Sequence, residues 1–132
     1  MQCWQLGPHL EKKLGMRPVI LDLAGDARWR SAADLRGADY VSLADSEFWV
    51  ERTRARIIVI DSRQRYDAGL ELVARLSFGS PPAGVRVLLT ERESAREHEL
   101  AYRAGTTRVA LMAPGEQSHE ALLAHILAAG RP

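Results

Sequence analysis

An aspartate ends a continuous apolar run, a place where a carboxylate can do chemistry beside a buried core. The run Ile57–Ile60 stops at Asp61, and Gly69 follows eight residues later within an apolar pattern of helical spacing. A carboxylate at this point can bind a cation, act as a nucleophile or cap the following turn through the amides of 62–64. Its role depends on the elements that position it.

Short apolar runs alternate with helix-patterned segments from residue 17 onward. The predicted strands are 17–23, 38–45, 57–61, 85–90 and 108–112, and the predicted helices are 26–37, 46–54, 66–78, 94–104 and 118–130. This alternation predicts an α/β fold, a doubly wound five-stranded parallel sheet flanked by helices and joined by right-handed crossovers. Functional groups of such sheets lie beyond the carboxyl ends of the strands, which is where Asp61 falls.

Composition excludes several classes of protein. The 18 Lys and Arg residues against 17 Asp and Glu residues give a net charge of +1, which argues against a nucleic-acid groove or a membrane-surface helix. No apolar run reaches the roughly 20 residues of a membrane span, and the opening segment has no secretory signal. Cys3 is the only cysteine, so no internal disulfide can form. We expect a cytoplasmic protein with an N-terminal arm at 1–16 and one domain at 17–132.

The chain resembles the receiver (CheY-like) domains of two-component response regulators over residues 17–130. In those domains the third strand ends on the aspartate that accepts a phosphoryl group, and a glycine follows eight residues later, as Asp61 and Gly69 do here. The fourth strand ends on Thr or Ser, here Thr90, and the next helix closes with Ala-Gly, here 104–105. The resemblance implies that Asp61 is the phospho-acceptor position, that Thr90 contacts the phosphoryl group, and that Asp22 and Asp61 hold Mg²⁺.

Departures from the receiver pattern weaken that expectation. Only Asp22 follows the first strand where receivers carry two adjacent acidic residues, and Asp26 is the nearest substitute. Ala113 stands where receivers have a lysine before a proline, so Asp61 is expected to lack a partnering ammonium group. The aromatic residue of the fifth strand is also missing. We therefore expect weak or absent Mg²⁺ binding and weak or absent phosphoryl switching.

A non-enzymatic signalling module is the function that the resemblance implies. Its partners would be a histidine kinase or an output domain, and the family implies a homodimer through the fourth helix, fifth strand and fifth helix. An alternative is an interaction domain like the antagonists of anti-sigma factors (STAS), with Ser62 as its phosphorylated residue; its sheet would be mixed rather than parallel. An aspartyl-nucleophile hydrolase has little support, because Arg63 stands where such enzymes commonly carry a second Asp.

Overall fold

Strands and helices alternate along the chain as the apolar pattern predicts. The computed structural model describes residues 17–50, 55–78, 84–91, 94–112 and 118–129. The strands are β1 (Val19–Asp22), β2 (Asp39–Ser42), β3 (Ile57–Asp61), β4 (Val85–Thr90) and β5 (Arg108–Leu111). The helices are α1 (Arg28–Arg36), α2 (Leu43–Val50), α3 (Tyr66–Ser77), α4 (Ala95–Ala104) and α5 (His119–Ala129). The proposed arm at 1–16 and Ala113 lie outside the described residues.

The five strands form one sheet in the order β2-β1-β3-β4-β5, and every neighbouring pair is parallel. The predicted doubly wound fold class is thereby confirmed. No antiparallel pair occurs among the described strands, which argues against the STAS alternative. The strand order reverses between β1 and β3, where a doubly wound sheet opens its crevice. Asp22 and Asp61 are register partners at that point, at the carboxyl ends of the two strands.

Two apolar clusters cover the two faces of the sheet, which explains why the central strands are apolar throughout. The first cluster joins Val59 and Leu89 to α1 and α5, including Trp29, which has no exposed surface. The second cluster joins Ile60 and Leu88 to α3 and α4. Helix α2 lies beside α3. The side chains of β3 therefore alternate between the two apolar clusters. The last residue, Asp61, follows the same alternation and lies on the face of the first cluster.

Helix α2 begins earlier than the sequence indicates. The alternating pattern at 38–45 predicts a strand, but β2 ends at Ser42 and Leu43 opens the helix. Ser46, where the predicted helix begins, lies within the observed helix, and its hydroxyl donates to the carbonyl oxygen of Ser42 at 2.8 Å. An edge strand has one neighbour, so its end is weakly determined by an apolar alternation over a few residues.

Gly105 closes α4, as predicted, and takes the left-handed conformation, with φ 114°. A Cβ built there would lie 1.9 Å from the Ser77 hydroxyl oxygen, so Gly105→Ala combines backbone strain with a steric clash. We expect this variant to lose about 3 kcal/mol of unfolding free energy in urea denaturation. Gly37→Ala is the matched control: φ is 69° but no atom lies within 4 Å, so only the strain of about 1 kcal/mol applies. Equal losses in the two variants would contradict the clash.

Among the described helices, none has the length and apolar character needed to cross a membrane.

Candidate functional site

The Asp61 carboxylate is buried and fully engaged by other side chains. It has no exposed surface. The indole Nε1 of Trp29 donates to Oδ2 at 2.7 Å. The guanidinium of Arg63 donates through Nε to Oδ1 at 2.9 Å and through Nη2 to Oδ2 at 2.7 Å. The backbone amide of Arg63 also reaches Oδ1, at 3.2 Å, so the turn-capping role considered for this aspartate is present alongside the ion pair.

The β3–α3 turn directs Arg63 back onto the strand that precedes it. The turn is closed by a hydrogen bond from the amide of Arg65 to the carbonyl oxygen of Ser62 at 2.9 Å. Gln64 takes a left-handed φ of 64°, which a non-glycine residue adopts at a cost in free energy. The hydrogen bonds that Arg63 donates to Asp61 raise the pKa of Arg63; burial opposes this increase, and the contact with Asp26 adds to it. The guanidinium is therefore a permanent positive charge beside Asp61.

The receiver resemblance does not predict this cation, because receivers carry their lysine after β5, where this chain has Ala113. A long cationic side chain two residues after a strand-end carboxylate can fold back across a tight turn, and Arg63 in "DSRQ" is such a residue. That spacing was the available signal.

Asp22 is held by two neutral donors. Its Oδ1 accepts the backbone amide of Asp26 at 3.0 Å, and its Oδ2 accepts the hydroxyl of Tyr40 at 2.7 Å. Burial, together with the hydrogen bond and negative charge of Asp22, raises the pKa of Tyr40 to about 12. Tyr40 therefore stays a neutral donor at physiological pH.

This arrangement predicts an alkaline limit to the contribution of Tyr40. A phenol whose pKa rises on folding, here from 10.0 to about 12, stabilises the folded state below the lower value. That contribution is lost as the pH rises through the interval. Near neutral pH, the free energy of unfolding of wild type is expected to exceed that of Tyr40→Phe by about 1.5 kcal/mol. This difference should shrink above pH ~10. Urea denaturation at a series of pH values measures this; a difference that stays constant through the interval would contradict it.

Asp26 takes donors from three directions. Arg28 contacts both of its oxygens at 2.9 Å, Arg63 Nη2 donates to Oδ2 at 2.8 Å, and His119 Nε2 lies 2.5 Å from the same oxygen. Burial alone would raise the pKa of Asp26, but the bonds from Arg28, Arg63 and His119 outweigh it and hold that pKa well below its usual range. The carboxylate therefore remains ionised.

Thr90 lies at the same edge of the sheet but faces its other side. Asp61 shares the alternation of Val59, which belongs to the first cluster, whereas Thr90 shares that of Leu88, which belongs to the second. Thr90 is buried. It lines a groove of about 390 Å³, opposite the Trp29 side, together with Ser62, Gln64, Arg65, Tyr66, Asp67, Ala68, Leu70, Glu91, Glu97 and Leu100. The structure thus brings Asp22 and Asp61 together and places Thr90 on the adjacent strand end.

The residues at the crevice do not fit a divalent cation. Mg²⁺ needs open carboxylate oxygens and room for its waters. Both oxygens of Asp61 and both oxygens of Asp22 already accept protein donors, and a guanidinium bridges Asp61 and Asp26. Within the described residues, no group of three or more potential ligands is arranged to hold a metal ion.

Solved structures of receiver domains share this fold and cover nearly all of the chain. HP1043, an orphan response regulator of H. pylori, superposes with a TM-score of 0.66 at 17% identity, over 89% of this chain and 98% of that one. The receiver domain of the sensor histidine kinase PA1611 from Pseudomonas aeruginosa superposes with a TM-score of 0.65 at 17% identity, over 86% of this chain and 96% of that one. That structure carries a magnesium ion in its active-site cleft. An atypical orphan response regulator superposes with a TM-score of 0.61 at 17% identity, over 84% of this chain and 92% of that one. It is described as having a phosphorylation-independent regulatory mechanism.

The class that the sheet order and these likenesses define is the response-regulator receiver fold, as the sequence predicted. No protein-family model and no curated protein sequence matches the chain.

Proposed function

We propose that this chain is an atypical receiver domain of two-component signalling, a protein-interaction module in which phosphoryl switching at Asp61 is weak or absent. One observation carries the proposal: the Asp61 carboxylate has no exposed surface and binds the side chains of Arg63 and Trp29.

Phosphoryl transfer to Asp61 would have to break those bonds. A carboxylate oxygen attacks phosphorus with a lone pair that is free and aligned with the leaving group. Here Oδ1 accepts from Arg63, and Oδ2 accepts from both Arg63 and Trp29. Each charge-assisted bond is worth about 1.5–3 kcal/mol, so freeing one oxygen raises the barrier substantially. Thr90, the other proposed phosphoryl contact, lies on the groove side of the sheet.

An internal guanidinium also takes the electrostatic role that a metal ion would have. It neutralises Asp61 without leaving coordination positions for water or phosphate. We therefore propose that Mg²⁺ binds Asp22 and Asp61 weakly or not at all.

Protein contacts would then carry the signal without a phosphoryl group. A histidine kinase or an output domain in the cytoplasm is the proposed partner, with a homodimer as a further mode of assembly. One structural neighbour is described as regulated independently of phosphorylation, which is the mode of action proposed here.

Labelling with a small phospho-donor tests the proposal. Wild-type protein, incubated with acetyl phosphate and Mg²⁺, is expected to show little or no gain of one phosphoryl mass by intact-protein mass spectrometry. Asp61→Asn is the matched control, because it replaces the nucleophilic carboxylate by a neutral amide and nearly preserves side-chain volume. Stoichiometric labelling of wild type that Asp61→Asn abolishes would overturn the claim of weak switching and restore full receiver function.

A further inference from the structure

Asp26 joins three segments that are far apart in sequence. It lies in the β1–α1 loop, Arg63 in the β3–α3 turn, and His119 is the first residue of α5. Arg63 Nη2 and His119 Nε2 both contact Asp26 Oδ2, at 2.8 and 2.5 Å. The three side chains are only 12%, 15% and 7% exposed, in the order Asp26, Arg63, His119, so water competes poorly for these contacts.

A second path also connects Asp61 with His119. The Trp29 indole donates to Asp61, and its ring meets the His119 ring edge-on with centroids 4.5 Å apart. Two routes from Asp61, one through Arg63 and Asp26 and one through Trp29, therefore end at the same histidine. These five residues form a closed ring of contacts at one end of the sheet.

We infer that Arg63, Asp26 and His119 form a latch that couples the position of the Arg63 guanidinium on Asp61 to the docking of the start of α5. The inference rests on the proposed function, since it names how a protein contact that displaces Arg63 from Asp61 would be transmitted to the start of α5 without a phosphoryl group. In this latch Asp26, which lies in the β1–α1 loop, connects Arg63 to His119.

Electrostatics gives the latch its direction. Asp61 and Asp26 both bind the same Arg63 Nη2 atom, at 2.7 and 2.8 Å. If that nitrogen is withdrawn, the two carboxylates lose the cationic donor that they share, and Asp26 is repelled by the charge of Asp61. Arg28 holds Asp26 from the solvent side with a side chain that is 71% exposed, so it can draw the carboxylate outward. His119 then loses its acceptor, and the first turn of α5 loses its anchor.

Amide hydrogen exchange with Arg63→Lys tests the latch. Lysine keeps the charge but has no planar fork to bridge two carboxylates, so the variant should fold with the bridge weakened. We expect amides at 119–124 to exchange about tenfold faster than in wild type. Arg28→Lys is the matched control, because Arg28 binds the same carboxylate from outside; exchange at 119–124 should change less than about twofold.

Coupling must also run in the reverse direction. His119→Ala is expected to speed exchange at 62–65, in a turn that His119 reaches through Asp26 and Arg63. The latch is wrong if Arg63→Lys leaves exchange at 119–124 unchanged, or if the effect of His119→Ala is confined to α5. No phospho-donor is present in these experiments, so they separate failure of the latch from failure of the proposed function.

Discussion

Replacing Arg63 with glutamine is expected to lower the free energy of unfolding by about 3 kcal/mol, which corresponds to a fall in melting temperature of roughly 10 °C. The reason is the charge left behind. Asp61 has no exposed surface and cannot recover hydration when its guanidinium partner is removed. Breaking a buried ion pair in this way is far more destabilising than losing a surface pair, because one charge stays buried without compensation.

A double-mutant cycle checks the cause of that loss. Asp61→Asn removes the charge that Arg63 neutralises, so Asp61→Asn combined with Arg63→Gln should cost about 2 kcal/mol less than the two single losses added together. Arg28→Gln, at an exposed arginine that binds Asp26, should lower the free energy of unfolding far less than Arg63→Gln does. Additive losses in the cycle, or equal losses for the two arginine variants, would show that Arg63 does not act through Asp61.

Trp29 is expected to give the second large effect, because it combines packing with hydrogen bonding. The ring is fully buried in the first apolar cluster, and Nε1 donates to Asp61 at 2.7 Å. Trp29→Ala should cost about 4 kcal/mol through the cavity it creates. Trp29→Phe retains an aromatic ring but deletes the donor and should cost about 2 kcal/mol.

Urea denaturation followed by circular dichroism measures both variants. The informative comparison is Trp29→Phe in wild type and in Asp61→Asn. With the carboxylate gone, the lost donor has a weaker acceptor, so the penalty for phenylalanine should fall by about 1 kcal/mol. An unchanged penalty would mean that Trp29 stabilises the fold by packing alone.

Much of the fold was predictable from local pattern. The apolar run ending at Asp61 predicts a buried central strand, and Gly105 predicts the end of α4 through its left-handed φ. At the start of α4 the amide of Glu97 donates to the hydroxyl oxygen of Ser94 at 3.3 Å, a cap typical of serine three residues before glutamate. These features depend on residues close in sequence or on a periodicity that two covered faces impose.

The electrostatics of the site could not be predicted in the same way. That Asp61 ends a parallel strand follows from the sequence, but its donor Trp29 is 32 positions away in the chain. The link from Asp26 to His119 spans 93 positions. Such partners depend on how helices pack over the crevice, for which a single sequence carries no periodic signal. Arg63 lies close in sequence, yet its inward direction depends on the backbone of the turn at Gln64.

The resonance of the Trp29 indole N–H is the most direct reporter of the central claim, since that proton lies in the hydrogen bond to Asp61 Oδ2. The measurement is a two-dimensional ¹⁵N NMR titration of wild-type protein, first with Mg²⁺ to millimolar concentration and then with beryllofluoride. We predict that the indole signal and the backbone amides at 61–63 stay in place throughout. A saturable shift of that signal, absent in Asp61→Asn, would show that the carboxylate exchanges its internal partners for an external ligand and would contradict the account.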